Sequence, residues 1–333
     1  MGRRPFAATG LGCLAVIGPA AAGRAALAAA LAGPDRRAAD RAATPLPGDL
    51  RVFPACDPGC TIIDVPDGRE FAAEARAAAI ACDAAVVVTD GRHRSMPALQ
   101  LALRELEDRG IPRVVFLNVR RDGPLLALLD LLDGASQAPV VLRHLPVWSD
   151  GIAVGLADLM RDRAWIFRED RSAGPIRVDG AAAVAALVAA GEISARLGDH
   201  ADPVVDHVVR DIDSGGEGRS DELARAIAVG LACPVTVGDV AARSGLAALR
   251  RTLAALGAGI GATRTRLGID ADGAALAEVV TRRLAGGGDD VRLARVLRGR
   301  LHPGMTLRDA CGTEVRVLSC DLADGQSGPA DGG

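Results

Sequence analysis

Short apolar runs alternate with alanine-rich, helix-like stretches over residues 10–135. The apolar runs predict strands at residues 13–17, 61–65, 84–89 and 113–117. The stretches between and after them predict helices at residues 24–32, 70–81, 96–109 and 124–132. Continuous apolar strands separated by helices are typical of a parallel sheet that is covered on both faces. The pattern therefore predicts an α/β fold with a mostly parallel sheet.

The pattern is less regular beyond residue 138. It predicts strands at residues 140–142, 164–167 and 234–237 and helices near 181–196, 221–231 and 246–256. After residue 257 the strand-like runs are 274–283, 291–298 and 313–318, with a glycine-rich hairpin tip at residues 286–290. This last part is typical of the opening of a β-barrel. Residues 321–333 are rich in Asp, Gly, Ser and Pro and are predicted to be a disordered tail.

Composition and charge exclude few classes of function. The net charge of −3 and the pI near 6.0 indicate no general attraction to nucleic acid or to an anionic membrane. All 39 basic residues are arginine, which indicates a compositional bias. The seven cysteines are odd in number and loosely spaced, so we expect reduced thiols in a cytoplasmic protein and no metal site.

The N-terminus allows two interpretations. Arg3 and Arg4 precede an uncharged, apolar run, as they do in a twin-arginine export signal. The same run can instead form the first strand and lead into a glycine turn. We favour the strand, because the order of elements that follows is that of a globular α/β domain.

Residues 18–25 (GPAAAGRA) match the phosphate-binding pattern G-x-x-x-x-G-K-[ST] at both glycines and miss it at the last two positions. In that pattern backbone amides and a helix N-terminus cradle phosphates, the Lys reaches the outer phosphates and the hydroxyl binds Mg²⁺. Arg24 keeps the charge, but its planar fork is not equivalent to an ammonium group. Ala25 has no oxygen, so one Mg²⁺ ligand is missing.

Two further polar positions follow predicted strands. Asp64 ends the second strand, where a D-x-x-G pattern would contact Mg²⁺ and the terminal phosphate, but Asp67 replaces the Gly. Asn118 ends the fourth strand, where N-K-x-D would read guanine, but Val119 replaces the Lys and Asp122 is displaced by one position. The Asp64 match alone is compatible with an ordinary junction between strand and turn. Asn118 is the only asparagine of the chain, and its position at this strand end favours the pattern.

Taken in order, these segments resemble a translational GTPase, and more narrowly elongation factor G. Residues 139–167 resemble the insertion that is peculiar to elongation factor G, and residues 299–304 (GRLHPG) resemble a turn of the family's barrel domain. The resemblance covers about residues 10–320 and rests on the runs at 62–66, 82–90, 110–118, 139–167, 233–246 and 292–304.

The resemblance implies a domain organisation. It places a P-loop GTPase-like domain at residues 10–257, with the insertion at about 138–232. A partial β-barrel domain follows at residues 258–320, and then the tail. The chain has only the front half of the family's length, which leaves open a natural truncation or a fragment.

The resemblance also implies a degenerate nucleotide site with no catalytic residue and no independent metal site. Three losses accompany Arg24 and Ala25: the first switch is short, Gly68 replaces the water-orienting His, and Asp239 and Val240 replace the last base-binding pair. Phosphoryl transfer depends on positioning and on charge stabilisation, so these losses predict little turnover. The expected nucleotide-binding residues are Gly18, Ala22, Gly23, Arg24, Ala25, Asp64, Asn118 and Asp122.

We therefore expect an elongation factor G-like pseudo-GTPase in the cytoplasm that acts through a protein or ribosomal partner. GTP would bind weakly or not at all, and Mg²⁺ only with GTP. We expect no membrane association and no sequence-specific binding of nucleic acid. The alternatives are an active GTPase that uses Arg24 in place of the Lys, a decaying gene product without selected activity, and a P-loop protein of another class.

Overall fold

The computed structural model describes residues 11–33, 44–45, 50–54, 60–65, 72–90, 96–118, 135–138, 140–142, 144–149, 152–158, 163–166, 176–179, 227, 231–241, 243, 245–284, 290–320 and 330–331. The fold is mixed α/β with a mostly parallel sheet, as the sequence predicts. The chain divides into two compact units. The first comprises Met1–Val86, Asp108–Pro112 and Gly257–Gly333, and the second comprises Val87–Glu107 and Arg113–Leu256.

The first five strands along the chain are β1 Cys13–Ile17, β2 Thr44–Pro45, β3 Arg51–Pro54, β4 Thr61–Asp64 and β5 Ala84–Thr89. They lie in the sheet in the order β2-β3-β4-β1-β5. Strand β1 pairs in parallel with β4, in a register that runs from Cys13 opposite Thr61 to Val16 opposite Asp64. Strands β2 and β3 add an antiparallel edge to β4.

Helices α1 (Arg24–Ala32) and α2 (Ala72–Ala81) belong to the first unit. Leu27 and Leu31 of α1 are fully buried, as are Leu14 of β1 and Ile62 of β4. The bounds of α1 and β1 are those that the sequence predicts. They confirm that residues 18–23 connect a buried strand to a helix.

The second unit contains the parallel strands β6 (Arg113–Asn118), β7 (Val140–Leu142) and β12 (Cys233–Gly238), with β12 paired to both of the others. Helix α3 (Met96–Asp108) buries Met96, Leu99, Leu103 and Leu106, a spacing of three and four residues that places them on one face. Helix α4 (Leu246–Ala255) follows β12.

A separate antiparallel sheet of four strands lies within residues 144–179 of the second unit. Its strands are β8 His144–Ser149, β9 Ile152–Asp158, β10 Arg163–Ile166 and β11 Ile176–Asp179, in the order β11-β10-β9-β8. The sequence predicts only one of them, at residues 164–167. Of the other three, β8 and β11 are interrupted by polar residues or proline, whereas β9 is a continuous apolar run that the prediction did not include. The helices predicted near 124–132, 181–196 and 221–231 lie outside the described residues, apart from Ile227 and Leu231.

The C-terminal part of the first unit is built from small antiparallel sheets, which fit a partial barrel. After helix α5 (Ile260–Leu267), a long ribbon is formed by β13 (Leu276–Leu284) and β14 (Asp290–Arg298), with two register shifts. Strands β16 (Thr306–Arg308) and β17 (Glu314–Arg316) form a second ribbon. Strand β18 (Ala330–Asp331) pairs with β15 (Arg300–Leu301), so these two residues are not the disordered tail that the sequence predicts.

Asp83, between α2 and β5, carries a buried carboxylate that joins four parts of the first unit. Its Oδ2 accepts hydrogen bonds from the amides of Gly12 and Cys13, at 2.8 and 3.0 Å. Its Oδ1 accepts a bond of 2.6 Å from the hydroxyl of Thr263 in α5. Arg295 of β14 lies 2.9 Å from the same carboxylate and also donates to the carbonyl of Ala81 at 2.6 Å. The C-terminal ribbon is thereby attached to the start of β1.

Replacing Arg295 with Met should destabilise the protein strongly. The substitution keeps most of the aliphatic volume but leaves the Asp83 carboxylate buried without its cation, which typically costs about 3–5 kcal/mol. Arg308→Met is the matched control, because Arg308 pairs with Glu314 at a solvent-exposed site. That pair should contribute less than about 1 kcal/mol. Urea unfolding of both variants measures the difference, and equal losses of stability would contradict the central role of Asp83.

Glu107, at the end of α3, holds together a second cluster, which lies within the second unit. Its Oε1 accepts hydrogen bonds from Arg113 at 2.6 Å and from the hydroxyl of Ser136 at 2.5 Å. Its Oε2 accepts a bond of 3.0 Å from the amide of Gln137. Burial by itself would raise the pKa of Glu107, but the bonds from Ser136 and Gln137 and the charge of Arg113 outweigh it, and the pKa is lowered.

The lowered pKa predicts a pH dependence of stability. The charged form of Glu107 is favoured in the folded protein, so its contribution is fully present above the unfolded-state pKa, near pH 4, and is lost as the pH falls towards the folded-state value. Glu107→Gln should lower the free energy of unfolding at neutral pH by roughly 1–3 kcal/mol. It should also flatten the fall in stability between about pH 5 and pH 3. Denaturant unfolding across this range tests it, and an unchanged pH profile would contradict the assignment.

Candidate nucleotide-binding site

The loop between β1 and α1 places the two glycines of the phosphate-binding pattern where only glycine fits well. Gly18 has φ 139° and Gly23 has φ 86°, and both values lie in the region that side chains disfavour. Residues Ala20–Ala22 between them form one turn of 3₁₀-helix, and Gly23 then starts α1. The sequence pattern therefore identifies a real loop and not a chance spacing of glycines.

Two amides of this loop donate to carbonyls of the same loop. The amide of Ala22 donates to Pro19 at 2.9 Å, and that of Gly23 donates to Ala20 at 3.1 Å. A phosphate cradle needs amides that point towards the ligand. In this conformation the loop closes on itself at these two positions.

Arg24, at the Lys position of the pattern, lies buried across the loop. Its Nε donates to Oδ1 of Asp64 at 2.5 Å, and its Nη1 donates to the carbonyl of Gly18 at 3.0 Å. The side chain of Arg24 is 8% exposed and that of Asp64 is 1% exposed. The residue that would meet the outer phosphates therefore forms an ion pair with the carboxylate that would meet Mg²⁺.

The neighbouring positions explain why this pair can form. Asp64 is the last residue of β4 and lies opposite Val16 of β1, so its side chain starts from the strand next to the loop. Arg24 is the first residue of α1 and has the length to reach it. Ala25, half-buried beside Arg24, offers no oxygen that could compete for either partner.

Asn118, in the second unit, ends β6 next to the last residue of β12. The register places Gly238 opposite Asn118, and Oδ1 of Asn118 accepts a hydrogen bond of 3.1 Å from the amide of Val240. Asp239 in turn accepts a bond of 2.8 Å from the amide of Ala241. The side chain of Asn118 thus stabilises the turn at residues 239–241. This turn contains Asp239 and Val240, the two residues that replace the last base-binding pair of the resemblance.

Gly245 directly precedes α4, a few residues after this turn. It has φ +76°, and a Cβ atom at this position would lie 2.5 Å from the carbonyl oxygen of Val237 and 2.7 Å from the Cα of Gly238. Both neighbours are backbone atoms of β12, so neither can move without distorting the sheet. The close approach of α4 to β12 depends on the missing side chain.

Gly245→Ala should therefore destabilise the second unit more than Gly110→Ala destabilises its own site. Gly110 also has a positive φ, of +60°, but a Cβ atom there would meet nothing within 4 Å. Both variants carry the strain of a left-handed alanine, about 1–2 kcal/mol. Only Gly245→Ala adds overpacking, typically about 1–3 kcal/mol. Thermal unfolding of the two variants compares them, and equal midpoints would contradict the packing argument.

The remaining expected site residues divide into two groups. Ala22 and Ala25 lie in the loop and at the start of α1, as predicted. Asp122 lies outside the described residues, and so do Asp67, Gly68, Val119 and Arg121.

The described parts of the chain hold no group of three or more His, Cys, Asp or Glu side chains arranged to bind a metal. They also hold no helix that is long and apolar enough to cross a membrane.

The sequence pattern did not reveal the buried ion pairs Arg24–Asp64 and Asp83–Arg295. Asp64 and Arg24 were identified as separate ligands of a nucleotide, and Asp83 and Arg295 were seen only as parts of longer runs. No local pattern could have shown either pair, since the paired residues are 40 and 212 positions apart in the chain.

Comparison with known proteins finds similarity to translation factors. Residues 50–121, which include Asp64 and Asn118, match the model of the elongation factor Tu GTP binding domain. An elongation factor G-like protein of Synechocystis sp. is 24% identical over 249 residues, which are 74% of this chain and 37% of that protein. Peptide chain release factor 3 of Lactobacillus acidophilus is 30% identical over 111 residues, 33% of this chain and 21% of that protein.

A solved structure shows the same fold. A crystal structure of a protein from Thermus thermophilus superposes with a TM-score of 0.65 at 21% identity, and the match covers 97% of this chain and 51% of that one. The chain thus spans about a third of the length of its elongation factor G-like relative and about half of this structure.

Through residues 50–121 and through these relatives, the chain is similar to the translational GTPases. Over the longest of these matches it is similar to an elongation factor G-like protein, while its residues 18–25 differ from the phosphate-binding pattern at the last two positions.

Proposed function

We propose that this chain is an elongation factor G-like pseudo-GTPase that binds GTP weakly or not at all and acts through a protein or ribosomal partner. The observation that carries the proposal is the buried ion pair between Arg24 and Asp64. It joins the two side chains that a nucleotide and its Mg²⁺ would need to separate.

The cost of separating them is electrostatic. A hydrogen-bonded pair of charges at a buried site is strongly coupled, and removing one partner leaves the other as an isolated buried charge. GTP with Mg²⁺ would have to replace each partner at once, with phosphate at Arg24 and metal at Asp64. The metal would do so with one ligand fewer, because Ala25 has no hydroxyl.

The shape of arginine adds to this effect. A lysine ammonium is a compact charge that can point along the loop axis, whereas the guanidinium presents a planar fork with donors on several sides. Here that fork contacts the Asp64 carboxylate and the carbonyl of Gly18 together. A side chain held at two points is poorly suited to follow a phosphate that changes position during transfer.

The partner and the place of action are also parts of the proposal. The relatives named above are translation factors by their descriptions, which supports a ribosomal or protein partner here. We also propose a cytoplasmic location. The proposed domains are a P-loop GTPase-like domain at residues 10–257 with an insertion at about 138–232, and a partial β-barrel at residues 258–320. The proposed nucleotide contacts, where they form at all, are Gly18, Ala22, Gly23, Arg24, Ala25, Asp64, Asn118 and Asp122.

Calorimetric titration with Mg²⁺ and GTP or GDP tests the proposal. The native chain should give no resolvable heat or only weak binding. Restoring the pattern with Arg24→Lys and Ala25→Thr together should tighten the binding of Mg²⁺–GTP at least about tenfold, since it opens the ion pair and supplies the hydroxyl ligand. Arg104→Lys, on the exposed face of α3, is the matched control and should change nothing.

A measurement of GTP hydrolysis by the native chain can contradict the proposal. Mg²⁺-dependent hydrolysis by the native chain at a rate comparable to an intact translational GTPase assayed beside it would overturn the proposal. It would favour the alternative in which Arg24 replaces the lysine.

A further inference from the structure

Two buried cysteines of the first unit lie in contact at the junction of β1 and α2. Cys13 is the first residue of β1, and Cys82 directly follows the last residue of α2. Their Sγ atoms are 3.1 Å apart, and the residues are 4% and 0% exposed. Neither thiol has a place in the nucleotide chemistry proposed above.

The backbone around the pair is held firmly. The amide of Asp83 donates to the carbonyl of Cys13 at 2.9 Å, and the Asp83 carboxylate accepts from the amide of Cys13 at 3.0 Å. A shift of about 1 Å would bring the sulfurs from their present contact to bonding distance.

We propose that Cys13 and Cys82 form a peroxide-sensitive dithiol that is oxidised to an intramolecular disulfide. This modification site is independent of the pseudo-GTPase proposal, because it involves no residue of the loop and no bound nucleotide.

The surroundings assign different roles to the two thiols. The hydrogen bond with Cys82, aided by the positive charge of Arg295, lowers the pKa of Cys13 even though burial opposes ionisation. Burial raises the pKa of Cys82 well above its ordinary value. The proposal takes Cys13 as the attacking thiolate and Cys82 as the resolving thiol, and the variants below test this order.

The reaction balances with hydrogen peroxide as the only oxidant. The Cys13 thiolate attacks one peroxide oxygen, the O–O bond breaks, and the departing hydroxide takes up a proton to become water. The resulting sulfenic acid of Cys13 is attacked by the sulfur of Cys82, the S–O bond breaks, and the second hydroxide leaves as water with the proton of Cys82. In total, two thiols and one peroxide give one disulfide and two waters.

The disulfide would tie the strand that leads into the Gly18 loop to the end of α2. Because the two residues are separated by 69 positions, the crosslink closes a long loop of the unfolded chain and should raise the thermal midpoint by about 5 °C or more. Both thiols are buried, so the oxidant must be small and the reaction should be slower than oxidation of the exposed Cys311.

The experiment uses the full chain with Cys311 and Cys320 replaced by Ala, reduced, desalted and then treated with hydrogen peroxide. Alkylation under denaturing conditions followed by intact-mass measurement counts the remaining thiols. We expect the loss of two thiols, a peptide in which Cys13 is linked to Cys82, and full reversal by dithiothreitol. The absence of this linked peptide after prolonged treatment would overturn the proposal.

Variants separate a specific pair from general oxidation. Cys82→Ala should abolish the linked peptide and leave a Cys13 sulfenic acid that dimedone traps. Cys233→Ala is the matched control, because Cys233 is equally buried and its pKa is raised to about 11 by burial, yet it should leave the linked peptide unchanged. If Cys82→Ala does not fold, peptide mapping of the chain that keeps Cys82 decides the question alone. A Cys13–Cys233 or Cys82–Cys233 link in its place would also contradict the assignment.

Discussion

The buried carboxylate of Asp83 is the constraint on which the first unit depends. A charge without solvent must be fully hydrogen-bonded, and this one is satisfied by two amides at the start of β1, the hydroxyl of Thr263 and the guanidinium of Arg295. These partners come from both ends of the chain. The C-terminal ribbon therefore contributes to the stability of the first unit. Its Arg295 neutralises the carboxylate of Asp83, which binds the first residues of β1, the strand that leads into the glycine loop.

The buried charges of Arg24 and Asp64 also satisfy each other, and this pairing changes what the two side chains contact. Each side chain alone is a ligand for a phosphate or a metal, and each becomes a structural group when it pairs with the other. Asn118 shows the same change of role, because its amide oxygen fastens the turn at Val240. In each unit, polar side chains that the sequence predicts as nucleotide ligands make contacts within the protein.

The parallel sheet was readable from the sequence because each of its strands is a continuous apolar run between helices. Strands β1 and β5 and helix α1 have the bounds that were predicted. The prediction missed β3, β11 and α5, which are short and contain polar residues, and it also missed the longer apolar strand β9. The glycine loop was identified correctly, and its two positive φ angles explain why glycine is needed there.

The sequence by itself determined the main apolar strands of the parallel sheet, the place of the loop and the missing hydroxyl at Ala25, because these depend on local pattern and residue identity. The tertiary structure alone decided what the remaining polar groups contact. Asp64 and Arg24 are 40 positions apart, and Asp83 and Arg295 are 212 apart, so their pairing depends on strand register and helix placement. Burial then makes these contacts necessary, since a charge that is removed from water requires an oppositely charged or hydrogen-bonding partner nearby, and the fold supplies that partner.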